Sequence, residues 1–228
     1  MNKAFFITGT DTGVGKTLVA TALLKLANEQ GHTTLGLKPV SAGCYLRDGM
    51  QVNEDAWELM QASSLKKDYA DINPVALREP MAPHIAAERE NVELAAASLI
   101  AQCQPQLAEA EFAVIEGAGG WLVPLNAAES MADIAAGIGA PVILVVGLRL
   151  GCINHALLSA AAVRAAGLEL AGWVANQADP EMAVPDENVQ TLVARLDAPL
   201  LGRIPHLENP STIFAVPHLS LDALLGFS

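Results

Sequence analysis

A glycine-containing loop that ends in Gly-Lys-Thr lies near the start of the chain, at residues 9–17 (GTDTGVGKT). Gly13 and Gly15 let the main chain approach phosphate oxygens with its N–H groups turned inward. A helix that begins near Lys16 presents its positive dipole end to the same anion. The lysine would reach the β- and γ-phosphates, and the Thr17 hydroxyl could ligate Mg²⁺. The strict pattern requires glycine at position 10, where this chain has threonine. An apolar stretch before the loop and an amphipathic one after it favour a phosphate-binding loop over a chance glycine turn.

Two acidic residues and a second lysine could complete a phosphoryl-transfer site. Glu116 follows a short apolar stretch and precedes a glycine-rich segment, so it could hold Mg²⁺ at a strand tip. The alternative is a solvent-facing turn, and we expect the nearby Trp121 to be exposed. On sequence grounds Asp55 and Glu54 are equally good as a further carboxylate. Lys38 ends an extended segment and could offset phosphate charge or be a solvated lysine, and its position alone does not decide between these.

Three later segments also follow predicted strands, where open sheets bind ligands. Around residues 151–155, main-chain N–H groups at a helix start could bind a carboxylate, with Asn154 as an additional donor. We expect Cys152 to be a packing residue, because no base is identified that would activate it. Residues 176–177 and 205–207 could recognise a purine base through amides and main chain, or could be ordinary turns.

The elements that position these residues alternate between short apolar runs and longer amphipathic segments. Runs without polar alternation predict strands buried on both faces, and strand–helix alternation predicts parallel βαβ units. We therefore expect a doubly wound, mainly parallel α/β sheet with helices on both faces, in a single domain spanning residues 1–228. The predicted strands are 4–7, 33–40, 112–115, 141–146, 170–175 and 200–204, and the predicted helices are 18–30, 53–62, 92–110, 130–139, 153–166 and 187–196.

Composition excludes several classes of protein. The 228 residues are 52% hydrophobic and 17% charged, which is inconsistent with intrinsic disorder. A net charge of −12 argues against sequence-independent nucleic-acid binding, which needs a basic face. The longest apolar run, residues 135–148, is too short for a membrane span. The widely spaced Cys44, Cys103 and Cys152 predict neither a disulfide framework nor a CxxC metal site. These observations predict a soluble, cytoplasmic protein with no nucleic-acid or membrane partner.

Taken in order, the motifs resemble those of the ATP-dependent dethiobiotin synthetases along nearly the whole chain. The phosphate loop alone is shared by a whole superfamily, but the Asn-His helix start and the Gly-Trp-Val-Ala-Asn strand are more specific. The motifs that carry the resemblance are GTDTxVGKT (9–17), KPV (38–40), EGAGGW (116–121), PVILVVG (141–147) leading into LGCINH (150–155), AGWVAN (171–176) and APLLG (198–202).

The resemblance implies a homodimeric enzyme of biotin biosynthesis that converts 7,8-diaminononanoate, CO₂ and ATP to dethiobiotin, ADP and phosphate. It favours Asp55 over Glu54 and implies that Lys16 and Lys38 are catalytic. The implied Mg²⁺ ligands are Thr17, Asp55 and Glu116, and the implied substrate contacts are Ser41, Gly151, Cys152 and Asn154. The implied nucleotide contacts are Gly13, Val14, Gly15, Lys16, Thr17, Leu18, Asp55, Glu116, Gly117, Ala118, Gly119, Asn176, Gln177, Pro205, His206 and Leu207.

This sequence departs from the family pattern at three positions, and two other functions compete. Gly13 replaces an acidic residue of some members, and Ala42 stands where others have a hydroxyl, with Ser41 beside it. Asn188 replaces a tyrosine that in some members reaches the substrate carboxylate across the dimer. A partition or cell-division ATPase would carry its signature lysine where this chain has Asp11. A glutamine-dependent cobyrinate amidase would need an amidotransferase domain for which this length leaves no room.

Overall fold

The computed structural model describes residues 2–226, so the ends of the predicted domain, at residue 1 and at 227–228, lie outside the described residues. The strands are β1 (Lys3–Gly9), β2 (Thr34–Leu37), β3 (Val40–Ser41), β4 (Tyr45–Arg47), β5 (Met50–Val52), β6 (Val75–Ala76), β7 (Phe112–Gly120), β8 (Val142–Gly147), β9 (Leu170–Asn176) and β10 (Leu200–Ile204). The helices are α1 (Lys16–Glu29), α2 (Glu54–Ala62), α3 (Tyr69–Ile72), α4 (Pro83–Glu90), α5 (Ala96–Leu107), α6 (Met131–Ile138), α7 (Cys152–Ala165), α8 (Pro185–Arg195), α9 (Thr212–Ala215) and α10 (Asp222–Leu225), with a 3₁₀ turn at Val216–His218.

The main sheet of the described chain is parallel throughout, in the order β10-β9-β8-β1-β7-β2. From β1 the chain crosses through α1 to the edge strand β2, and from β7 it crosses through α6 to β8 on the other side of β1. The direction of winding therefore reverses next to β1. Ligands of doubly wound sheets bind at the carboxyl ends of strands at such a reversal, and the phosphate loop follows β1 there.

Both faces of this sheet are buried, as predicted for strands without polar alternation. Phe5 and Ile7 of β1 pack on one face with residues of α1 and α10, and Phe6 packs on the opposite face with residues of α5 and α6. The predicted doubly wound α/β fold with helices on both faces is confirmed. No helix among residues 2–226 is long and apolar enough to cross a bilayer.

The predicted extended segment 33–40 is divided between two sheets. β2 ends at Leu37, and β3 pairs with β6 in a separate two-stranded sheet. Between them, Pro39 has no N–H to donate to a ladder, and the Lys38 main chain instead bonds to residues 72–73. The chain therefore leaves the main sheet at Lys38, which positions this residue at the carboxyl edge.

The predicted helix 92–110 begins later than expected, at Ala96. The residues before it are not helical, and the chain here is bound to a neighbouring turn: Glu129 accepts the Ala96 N–H at 3.1 Å, and Asn126 donates to the Leu94 carbonyl at 2.8 Å. Pro105 lies inside α5, which ends two residues later. Asn53 is the N-cap of α2, and Ser130 is the N-cap of α6.

The expectation that Trp121 is exposed was wrong. Its side chain is 4% exposed and stands edge-on to Phe6, with ring centroids 6.1 Å apart. β7 remains paired with β1 as far as Gly120, and the Trp121 indole belongs to the hydrophobic core instead of facing solvent.

Candidate functional site

The loop between β1 and α1 has the backbone conformation that phosphate binding requires. Gly13 and Gly15 have φ of +73° and +89°, a region that favours glycine. The Val14 side chain is buried and packs closely against Gly9 and Gly147. A Cβ on Gly9 would lie 2.6 Å from one Val14 methyl group, and a Cβ on Gly147 would lie 2.7 Å from the other. Valine thus anchors the loop through its side chain and leaves only its main chain for a ligand.

Lys38, Asp55 and Glu116 converge beside this loop. The Lys38 Nζ donates to Glu116 Oε1 at 2.6 Å and to Asp55 Oδ2 at 2.9 Å, and the Thr17 hydroxyl donates to the same Glu116 oxygen at 3.0 Å. Lys38 and Glu116 are buried, whereas Asp55 is 43% exposed. Glu54, the alternative to Asp55 on sequence grounds, is exposed at the start of α2 and does not line the cavity at this cluster.

The protonation of these groups follows from burial and their partners. Burial pulls the Lys38 pKa down, but the charges of Glu116 and Asp55 outweigh it, and the net pKa is raised. Burial pushes the Asp55 pKa up, but the Lys38 charge and the hydrogen bonds from Lys38 and Thr17 together outweigh it, and the net pKa is lowered. For Lys16, burial dominates and lowers the pKa. Its Nζ donates to the Asp11 carbonyl at 3.2 Å.

The oxygen atoms of Thr17, Asp55 and Glu116 fit a small divalent cation. All three supply hard oxygen ligands, and Mg²⁺ is usually held by one or two carboxylates together with substrate phosphates. Glu116 Oε2 is buried and has no hydrogen-bond partner among the described residues. An acceptor that is desolvated and unpaired needs a cation or a water to offset its burial.

A cavity of about 720 Å³ joins the phosphate loop to this cluster. Its lining brings together five of the predicted site residues, Lys16, Thr17, Lys38, Asp55 and Glu116. Sequence reasoning missed a wall formed by residues 80–83, because its apolar side chains carry no chemical signature. The lining is Thr12, Gly13, Gly15, Lys16, Thr17, Lys38, Ser41, Ala42, Asn53, Asp55, Pro80, Met81, Ala82, Pro83, Glu116, Ala118, Gly119 and Val123. Gly117 is outside this lining, packed against the Phe6 ring.

A smaller groove of about 190 Å³ lies on the other side of the loop, lined by Gly13, Gly15, Leu18, Asn176, Gln177, Ala178, His206, Leu207 and Pro210. It brings together the two segments that could recognise a base, although Pro205 stands just outside the lining. The Asn176 Nδ2 donates to the Val14 carbonyl at 2.8 Å. This hydrogen bond therefore fixes the main chain of the phosphate loop at Val14.

The residues expected to bind a carboxylate lie apart from both cavities. Gly151 caps the start of α7 with φ of +95°, and Asn154 is exposed one turn later. Cys152 is 1% exposed, and its Sγ lies 3.9 Å from Asn188 Oδ1. Just before them, Arg149 forms a close ion pair with Asp11 of the phosphate loop, a contact that the sequence did not indicate.

The chain is similar to known proteins along its length. A family sequence model described as an AAA domain matches residues 3–212. A protein of Cellvibrio japonicus named ATP-dependent dethiobiotin synthetase is 52% identical over 223 residues, covering 98% of each chain. A protein of Aromatoleum aromaticum with the same name is 50% identical over 205 residues, covering 90% of this chain and 91% of that protein. The solved structure of the septum site-determining protein MinD from Pyrococcus horikoshii, complexed with Mg-ADP, has a TM-score of 0.57 at 17% identity, covering 100% of this chain and 90% of MinD.

Proposed function

The chain belongs to the ATP-dependent dethiobiotin synthetase family, and we propose that it forms dethiobiotin from 7,8-diaminononanoate and CO₂ while converting ATP to ADP and phosphate. Relatives of this name match it over nearly their full length. The observation that carries the proposal is the cluster of two buried lysines and two carboxylates around the cavity beside the phosphate loop. We propose that the chain acts as a single domain in the cytoplasm.

The reaction needs a concentration of positive charge because both reactants are anionic where they meet. One amine takes up CO₂, releases a proton and becomes a carbamate, whose oxygen attacks the γ-phosphorus of ATP as ADP leaves. The second amine attacks the carbonyl of the resulting carbamic-phosphoric anhydride. Phosphate and a proton then leave, and the ureido ring closes. No protein nucleophile takes part, so the protein acts by positioning and by electrostatic stabilisation.

We assign the phosphate loop, from Gly13 to Leu18, to the triphosphate and the smaller groove to the purine base. Asn176 and Gln177 form one side of that groove, and residues 205–207 are on or beside the other. Lys16 would bind the β- and γ-phosphates. Lys38, at the junction of the loop and the wider cavity, would stabilise the carbamate and the phosphoryl group in transfer.

The residues Thr17, Asp55 and Glu116 would hold Mg²⁺. When bound, the ion would neutralise charge on the triphosphate. The unpaired oxygen of Glu116 supports this assignment, since a buried acceptor without a donor favours a cationic ligand.

A homodimer would explain the separation between the cavity and the segment expected to bind the substrate carboxylate. Gly151, Cys152 and Asn154 follow β8 and do not line the cavity of the same chain. We propose that a second copy brings this segment to the cavity. With asparagine at position 188 in place of tyrosine, the main-chain N–H groups at the start of α7 would carry more of the carboxylate binding.

Incubation of the protein with bicarbonate, Mg²⁺, ATP and the diamine tests the function. We expect one cyclic urea per phosphate released, measured by mass spectrometry and a phosphate assay. Absence of the urea would overturn the proposal, and steady ATP hydrolysis without diamine that DNA or lipid stimulates would indicate a partition ATPase instead.

The variant Lys38→Met tests the catalytic assignment. We expect kcat to fall by about 100-fold or more, in the range for loss of a transition-state donor, with ATP affinity within about threefold because the phosphate loop is intact. The matched control is Lys67→Met, which removes a lysine at the same 2.6 Å distance from a carboxylate, Glu109, on the surface. Unchanged turnover of Lys38→Met would remove this lysine from the mechanism.

A further inference from the structure

A buried amide that the sequence did not single out, Asn73, contacts the main chain of Lys38. Asn73 ends α3 and is 3% exposed. Its Nδ2 donates to the Lys38 carbonyl at 2.6 Å and to the Val75 carbonyl at 3.2 Å. Its Oδ1 accepts hydrogen bonds from the Ser41 hydroxyl at 2.7 Å and the Tyr69 hydroxyl at 3.0 Å. All four hydrogen-bonding capacities of the amide are thus used.

The chemistry of these partners determines the direction of each bond. Main-chain carbonyls only accept, so the NH₂ group of Asn73 must face them and its oxygen must face the two hydroxyls. Both hydroxyls therefore donate. Burial raises the pKa of Tyr69 to about 12, so its proton stays in place near neutral pH. The side chain of Asn73 cannot rotate without leaving several buried polar groups unpaired.

The same network connects Lys38 to the helix that carries Asp55. The carbonyl of the residue before Asn73 accepts the Lys38 main-chain N–H at 2.8 Å, so this turn binds both main-chain polar groups of the lysine. On its other side, the Tyr69 hydroxyl accepts the Asn53 main-chain N–H at 2.7 Å. Asn53 is the N-cap of α2, and Asp55 is two residues further along.

We propose that Asn73 is a positioning residue for phosphoryl transfer, which holds Lys38 and the start of α2 so that the lysine ammonium lies between Asp55 and Glu116. Ser41 belongs to the same network and gives its only proton to Asn73. Its oxygen can therefore meet a substrate only as an acceptor, which limits it to N–H groups such as those of the diamine. The kinetic part of this inference rests on the proposed function.

The isosteric variant Asn73→Asp tests the network, because it removes both donors and turns a carboxylate toward two carbonyls. We expect kcat to fall by about 10- to 100-fold, as expected when a reacting group is displaced by about 1 Å, with ATP affinity within about threefold. The control is Asn28→Asp, which replaces an amide that likewise donates to a main-chain carbonyl, of Ala62 at 2.9 Å, and accepts from a hydroxyl, of Thr34 at 2.7 Å. Asn28 lies outside the cavity lining, and we expect its variant to retain kcat.

A role through Lys38 is distinguished from a purely structural one by combining variants. In a Lys38→Met background, Asn73→Asp should have little further effect on kcat, whereas independent structural damage would multiply the two losses. If Asn73→Asp does not fold, Tyr69→Phe replaces it in the test. This variant breaks the link to Asn53 while leaving the bond to the Lys38 carbonyl, and we expect a severalfold loss of kcat.

A second readout needs no turnover. In ¹H–¹⁵N spectra of lysine ammonium groups, the signal that Lys38→Met removes belongs to Lys38. We expect this signal to broaden through faster exchange in Asn73→Asp or Tyr69→Phe and to persist in Asn28→Asp. A wild-type signal in both network variants, or multiplicative losses of kcat, would overturn the inference. If the wild-type protein makes no cyclic urea, the proposed function fails, and the lysine signal alone tests Asn73.

Discussion

Replacing Lys38 with methionine removes the cation nearest to the buried Glu116 carboxylate, and the structure indicates a large loss of folding free energy. The Nζ–Oε1 distance is 2.6 Å, and the two side chains are 4% and 1% exposed. At an effective dielectric constant of about 20, two unit charges at this separation attract by about 6 kcal/mol, part of which desolvation offsets. Removing one partner of a buried pair leaves an uncompensated charge, which costs about 3–5 kcal/mol. We expect Lys38→Met to lower the free energy of unfolding by about this amount.

The variant Glu116→Gln should cost less, about 1–2 kcal/mol. It keeps an acceptor oxygen for the ammonium, and Asp55 remains 2.9 Å from the lysine. The double variant leaves neither buried charge, so its loss should be about 2–3 kcal/mol smaller than the sum of the single losses. Urea denaturation at pH 7, followed by circular dichroism, measures all four proteins.

The cycle of Lys67→Met and Glu109→Gln provides the control for this coupling. That pair has the same 2.6 Å distance, but its side chains are 15% and 55% exposed. Solvent screening should hold its coupling energy below about 1 kcal/mol. If the losses from Lys38→Met and Glu116→Gln add within about 0.5 kcal/mol, the buried pair is not the interaction that the geometry indicates.

Three further outcomes are expected. Gly15→Ala places a Cβ 2.3 Å from Asn176 Nδ2, whereas the control Gly31→Ala, with nearly the same φ of +88°, meets no atom within 4 Å. We expect calorimetry to show ATP affinity reduced about tenfold or more in Gly15→Ala only. That reduction corresponds to a loss of more than about 1.4 kcal/mol of binding free energy. The Asp55 pKa is held below its ordinary value, so the stability that Asp55 adds is fully present above the unfolded pKa of about 4 and is lost as pH falls through the folded pKa. The difference in unfolding free energy between wild type and Asp55→Asn should therefore be constant from about pH 7 to pH 5 and should shrink below about pH 4. Glu116→Gln should raise the Mg²⁺ concentration for half-maximal turnover by about tenfold, and an unchanged requirement would remove Glu116 from the metal site.

Several features of the site follow from short stretches of sequence. The glycines and the Gly-Lys-Thr end of the loop specify a backbone that approaches an anion, because positive φ and a helix start are local properties. The apolar runs specify strands buried on both faces, which excludes a sheet with one solvent-exposed face. The helix caps at Asn53 and Ser130 follow in the same way from residues one turn apart.

Local patterns were less reliable where distant segments compete for the same backbone. Residues 92–95 continue a helical pattern, but the turn around Asn126 and Glu129 offers their main chain better partners, so the helix starts at Ala96. Trp121, which follows the glycines after Glu116, was expected to be exposed, yet its side chain lies in the core against Phe6. In both cases the contact that determines the local structure is with a residue far along the chain, which a pattern of neighbouring residues does not include.

The sequence by itself therefore determined the fold class, the phosphate loop and the family resemblance, since each is encoded in contiguous residues. Only the tertiary structure decided that Lys38 faces Asp55 and Glu116, which are 17 and 78 residues away along the chain. It also revealed Asn73, which is 35 residues from the carbonyl it binds and carries no motif of its own. Such contacts depend on how β2 leaves the sheet and where α3 ends, because a buried ion pair or amide network is specified by distances between elements and not by spacing along the chain.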